Sequence, residues 1–165
     1  MKPDLILLKE NILDFFTNPV LLCAIFSWCT AQLLKLITTP CYTKKFSVTQ
    51  LLFGSGGMPS SHSAVVCATC VSCGILHGYN STAFAVSAIL AMVVMKDATG
   101  IRREAGKQAE VINQISEELG KKKKNFADIT LSELLGHTPL QVLFGALLGF
   151  FMAYLCQCWL FPKIF

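Results

Sequence analysis

Four apolar runs, at about residues 19–38, 60–77, 79–95 and 139–161, constrain this chain more than any other feature. Each is close to the ~20 residues that an α-helix needs to cross a bilayer. Hydrophobic residues make up 53% of the 165 residues and charged residues only 15%, well below the ~25% charged of soluble domains. Mean hydropathy is +0.56. A soluble fold of this size could not bury so much apolar surface, whereas a bilayer removes the need. The expected class is all-α: an integral membrane protein with about four transmembrane helices in a single domain over residues 1–165.

The segments between the runs fit that class. Runs two and three are separated only by the turn signal Gly78-Tyr79-Asn80 and read as a tight helical hairpin. Ahead of run one, Leu5, Leu8, Ile12, Phe15 and Phe16 recur at helical spacing among charges, as in an amphipathic helix at the membrane surface. Asp4, Lys9, Glu10 and Asp14 make this stretch too polar for a secretory signal. Asn18-Pro19 then supplies an N-cap and a first helical residue. The long polar insertion, 96–137, holds a second amphipathic helix. Ile101, Ala105, Ile112, Ile115 and Leu119 share its apolar face, Gly120 ends it, and the basic turn 121–124 follows. That turn reads as a charged loop with an attraction for anionic headgroups rather than as a nucleic-acid site.

Eight cysteines suggest a disulfide set until they are placed, since seven fall in apolar segments. Cys67, Cys70 and Cys73 have a spacing also used for iron–sulfur ligation. Within a lipid-embedded helix they read instead as small hydrophobes. No metal or cofactor is expected.

Charge placement predicts the topology. Ten of the fourteen lysines and arginines lie in the loops 39–59 and 96–137, against three near the termini. By the positive-inside rule the two larger loops face the cytoplasm. The expected location is the plasma membrane of a bacterium.

Chemistry-bearing residues gather at that same face. Gly54-Ser55-Gly56-Gly57-Met58-Pro59-Ser60-Ser61-His62-Ser63 leads directly into run two. Unpaired amides at a helix start attract anions, and a histidine there can protonate an oxygen leaving a phosphate. The same residues would also serve as a plain N-cap with an interfacial histidine, so on local physics both readings stand. His62 begins run two, Asp97 ends run three, His137 begins run four and Lys35 lies near the end of run one. His77 falls at the opposite face and reads as interfacial.

The stretch GGMPSSHSA resembles the second motif of the type 2 phosphatidic acid phosphatases and their vanadium haloperoxidase relatives. More closely, the chain resembles the divergent, short membrane branch of that superfamily. The resemblance runs in order from Asn18-Pro19 through Gln32 and Lys35, the GGMPSSHSA stretch and residues 96–109 to His137-Thr138-Pro139-Leu140-Gln141-Val142. In the better-studied relatives, a lysine and two arginines bind phosphate, one histidine is the general acid, and another histidine, held by an aspartate four residues later, is the nucleophile.

Carried over by position, the resemblance implies phosphate binding by Lys35, Ser60, Ser61, Arg102 and Arg103. It implies His62 as general acid and His137 as nucleophile. Tyr42 occupies the place of the first-motif arginine, with Lys44 or Lys45 as substitutes. Gln141 stands where the aspartate is expected. A helix brings residues i and i+4 together, so the Gln141 amide oxygen can accept from His137 Nδ1–H, but without charge. Removing that charge from a serine-protease triad costs about 10⁴ in rate. Asp97 or Glu133 are the candidate replacements.

The function implied is a membrane lipid-phosphate phosphatase acting through a phosphohistidine. Its candidate substrates are phosphatidic acid, phosphatidylglycerophosphate or a polyprenyl (pyro)phosphate. The expected partners are that lipid and the bilayer, with homo-oligomers open and no nucleic acid. The rival of a different class is a non-catalytic protein that binds phosphorylated lipid, for which Tyr42 and Gln141 speak. A vanadate-dependent haloperoxidase follows from shared ancestry alone and suits so short a membrane chain poorly.

Overall fold

A computed structural model describes residues 11–42, 57–120 and 136–163, which are helical and contain no strand. The helices are α1 (Pro19–Tyr42), α2 (Ser61–His77), α3 (Thr82–Thr99), α4 (Ile101–Gly120) and α5 (Pro139–Tyr154). A π-helical turn (Leu155–Leu160) and a 3₁₀ turn (Phe161–Lys163) continue α5. Ahead of α1, residues 11–17 are helical. The start of the expected surface helix, together with Lys44, Lys45, Glu133 and the basic turn 121–124, lies outside the described residues.

Side-chain oxygens set where the apolar helices begin. Asn18 Oδ1 accepts from the amides of Val20 and Leu21 at 3.0 and 3.1 Å, with Pro19 at the first helical position. Ser60 caps α2 and Ser81 caps α3, each accepting from the amide three residues on. Ser81 explains a shift from the sequence expectation. The third span starts at Thr82 rather than 79, because Gly78 takes φ +87° and the turn runs on to the capping serine. It also continues past 95 to Thr99.

Among the described residues, three helices are long and apolar enough to cross a membrane: Pro19–Thr38, the one that starts at Thr82, and Pro139–Lys163. The remaining apolar helix, α2, has 17 residues, about 26 Å at 1.5 Å per residue. It is the central element, packing against α1, α3 and α5. Leu33, Ile37, Val86, Leu147 and Phe151 are among the many large apolar side chains left outside, as a helix bundle in lipid requires.

Small residues let α5 press onto α2. A Cβ at Gly145 would run into the Ser60 carbonyl and come within 3.0 Å of Ser63 Cβ. At Gly149 it would run into the Ala64 carbonyl and come within 2.9 Å of Cys67 Cβ. Backbone therefore meets backbone along a Gly-x-x-x-Gly edge, the contact that dispersion favours between helices in lipid. Further from the α2 start, Cys23, Ala68, Met152, Ala153, Cys156 and Phe161 form the apolar core. At that end Gln157 donates through Nε2 to the Pro19 carbonyl and to Ser72 Oγ. The π turn contains Gln157 and holds both it and Cys156 inside the bundle.

At Gly100 (φ −101°, ψ −92°) the backbone leaves helical geometry and separates α3 from α4. The polar side of α4 carries a Glu104–Lys107 ion pair at 2.8 Å. Ile101, Ile112 and Ile115 on its apolar face are exposed, so the amphipathic helix read from the sequence is present with that face turned outward.

Candidate functional site

Two helix starts converge at one end of the bundle, and backbone hydrogen bonds hold them together. The Ser60 amide donates to the Gln141 carbonyl at 3.0 Å, and the His137 amide donates to the Ala98 carbonyl at 3.1 Å. The first bond ties the start of α2 to the first turn of α5. The second ties His137, two residues ahead of α5, to the end of α3. Thr38 Oγ1 also donates to the Met58 carbonyl, which joins α1 to the loop before α2. That loop turns through Gly57 (φ +80°) and a cis Met58–Pro59 peptide.

This scaffold brings Lys35, Ser61, His62 and His137 to the same place. Lys35 is only 3% exposed and donates from Nζ to Ser61 Oγ at 2.9 Å. His137 is 2% exposed, whereas His62 is exposed. Their ring centroids are 6.0 Å apart with the planes at 61°. Two hydrogen bonds of about 2.9 Å laid end to end are comparable with that separation. His77 is at the far end of α2.

Gln141 does two things at once. Thr138 caps α5 by accepting from the Gln141 amide at 3.3 Å. In return Gln141 Oε1 accepts from the Thr138 amide at 3.0 Å, which completes a capping box. The same oxygen lies 3.3 Å from His137 Nδ1. Because Thr138 N–H fixes which end of the carboxamide points inward, it is an oxygen that faces the ring. That oxygen can accept from an Nδ1–H, the tautomer in which Nε2 carries the lone pair.

The other expected site residues are placed as follows. Asp97 is half-buried beside Ala98, whose carbonyl takes the His137 amide. Arg103 is half-buried in the first turn of α4, just past the Gly100 break. The side chains of Arg102 and Tyr42 lie outside the described residues. Ser60 gives its amide to Gln141, and its hydroxyl accepts from Ser63 Oγ at 3.0 Å, so it acts as cap and tether. Sequence reasoning did not assign Thr38 or Thr138. The Thr138-x-x-Gln141 spacing is itself a capping-box signature, and that signal was there to be read. Gln32, three residues ahead of Lys35, is also buried.

Apolar helices that gather a buried lysine and two neighbouring imidazoles at one end define an integral membrane protein. Comparison with known proteins supplies the family. The sequence profile of the Divergent PAP2 family matches residues 16–152, and the chain belongs to that family. It is 39% identical over 147 residues to the uncharacterized membrane protein YuiD of Bacillus subtilis (strain 168), covering 83% of this chain and 92% of that one. No solved structure matches.

Proposed function

We propose that the protein is a lipid-phosphate phosphohydrolase with His137 as nucleophile and His62 as general acid. The observation that carries this reading is the 6.0 Å separation of the two rings beside the buried Lys35–Ser61 pair. The phosphoryl oxygens sit against Lys35, the Ser61 hydroxyl, the first turn of α2 and an arginine from the start of α4. Fixed donors of this kind stabilise the charge that develops in transfer.

His137 Nε2 attacks phosphorus in line, forming an N–P bond as the P–O bond to the lipid breaks. His62 gives its proton to the departing lipid oxygen. Water then attacks the phosphohistidine, giving a proton back to His62, and inorganic phosphate leaves. The site lies at the starts of α2 and α5, at headgroup level, which favours a phosphate on a membrane lipid. With the two larger loops cytoplasmic, phosphatidic acid and phosphatidylglycerophosphate suit it better than a polyprenyl pyrophosphate at the outer face.

Gln141 favours a second reading, a non-catalytic binder of phosphorylated lipid, because a neutral amide stands where the family pattern has a carboxylate. Phosphate release from a panel of purified lipid phosphates, by the full chain in detergent, separates the two. His137→Ala abolishes release in the catalytic reading, and undiminished turnover in that variant removes His137 from the mechanism.

A further inference from the structure

The helical run that starts at Thr82 extends to Glu118, 37 residues, with Gly100 as the break between α3 and α4. At 1.5 Å per residue the run is about 55 Å long, against ~30 Å of hydrocarbon, so α3 fills the bilayer core and α4 lies outside it. Among the described residues α4 makes no extended contact with α1, α2 or α5. Along α4, Ile101, Ala105, Gln108, Ile112, Ile115 and Leu119 recur at intervals of 4, 3, 4, 3 and 4, the spacing of a coiled-coil seam. The first five are all exposed, Ile101 at 73% and Ile115 at 51%. Burial on α4 follows a different side, through Gly106, Ala109 and Asn113. The seam is an open stripe.

Charge decides what covers it. The far half of α4 carries Glu110, Glu117 and Glu118 with no lysine or arginine, and the helix has no aromatic residue. Helices that lie on anionic lipid have basic polar faces and aromatic anchors, so the bilayer suits this stripe poorly. A second copy of α4 suits it better. Two copies inserted in one bilayer with the same orientation are related by an axis along the membrane normal, and helices that leave the membrane along that axis run parallel. In the parallel register each seam residue meets its own counterpart. The two Gln108 amides can then hydrogen-bond to each other, and a polar pair of this kind fixes register and strand number. The antiparallel register instead sets Glu104 against the partner's Glu118, twice over, and like charges oppose it. Six seam positions are few for a free coiled coil, but confinement of both copies to one membrane raises their effective concentration.

We infer that α4 pairs with the α4 of a second copy of this chain as a parallel two-stranded coiled coil along residues 101–119. The pairing stands apart from the function proposed above and has a consequence for it, which rests on that reading. Arg102 and Arg103 follow directly on Ile101, the first seam position. The second copy, rather than the bundle, therefore fixes the start of α4 that brings an arginine to the phosphate, and a lone protomer holds an incomplete site.

The test is single-molecule photobleaching of the full chain, one dye per copy, in phosphatidylcholine liposomes at low protein density. The wild type should bleach in two steps. Ile112→Glu and Ile112→Lys change an exposed position, so each should bleach in one step with its helical circular dichroism unchanged. Reconstituted together, the two variants should regain two-step bleaching, because the parallel register sets position 112 against position 112. A single-step wild type overturns the inference, and protection of α4 from proteolysis by vesicles in that case puts the bilayer on the seam. Two-step bleaching by either variant alone, or no recovery on mixing, overturns it as well. Phosphate release from phosphatidic acid is read on the same samples. It should fall several-fold in each variant and return in the mixture. Unchanged release from single-step variants shows that the bundle places the arginines itself and overturns the consequence for the site. No release from any sample, wild type included, removes the catalytic reading and leaves the pairing standing.

Discussion

Gly145→Ala tests the geometry that sets the site. The added methyl has no space, since the Ser60 carbonyl lies within its contact radius and Ser63 Cβ would be 3.0 Å away. Both neighbours belong to the first turn of α2, so relief requires moving α2 against α5. Overpacking of this kind costs about 1–3 kcal/mol. The Ser60–Gln141 backbone bond spans the same contact, and its weakening adds about 0.5–1.5 kcal/mol. His62 is on one partner and His137 on the other, so a shift of about 1 Å between reacting groups costs on the order of 10² in rate. Thermal unfolding in detergent and phosphate release are measured side by side, with lipid-exposed Leu147→Ala as the control. Gly145→Ala should melt earlier and lose far more activity than its lost stability explains. A variant that melts and turns over like the wild type would refute the close approach of the two helix starts.

Three further outcomes are expected. Gln141→Glu keeps the capping box and places a negative charge beside His137 Nδ1; turnover should rise by an amount bounded by the ~10⁴ that such a charge is worth in a protease triad. The added charge at the start of α5 also stabilises by about 0.3–1 kcal/mol, so unchanged turnover and melting together would remove the orienting role of position 141. Lys35→Met should lower phosphate release by on the order of 10² or more with the helical circular dichroism intact; near-normal release would show that the phosphate is held elsewhere. Gln157→Leu acts at the opposite end, removing the Nε2 donor from the buried Ser72 hydroxyl. It should lower the melting temperature through a loss of about 1 kcal/mol and leave kcat/KM unchanged, and a selective loss of activity would contradict the separation of the two ends.

Much of this architecture was legible because lipid imposes simple rules. Residues 19–38, 60–77 and 139–161 have the length and apolarity that a bilayer demands, and Asn18-Pro19 carries its own local chemistry. Lys35, His62 and His137 could be assigned to one end by counting spans, since each lies at the boundary of an apolar run. Other features were hidden for identifiable reasons. Ser81 was lost in the pattern because Tyr79 looks as apolar as the helix that follows. The ties from Ser60 to Gln141 and from His137 to Ala98 are backbone to backbone, so no side chain announces them. Within the π turn, Gln157 finds its partner Ser72 85 positions away. The burial of His137 beside an exposed His62 depends on which helices surround α2, and periodicity within one helix does not contain that.

The backbone ties have an evolutionary corollary. A scaffold whose reactive ends are clamped by amides and carbonyls does not depend on the identity of the side chains it displays. Exchanges at 141 between a carboxylate and an amide, or at 42 between a cation and a phenol, can tune or silence the chemistry while the frame persists. Side chains at the helix ends can therefore be exchanged without costing the chain its fold.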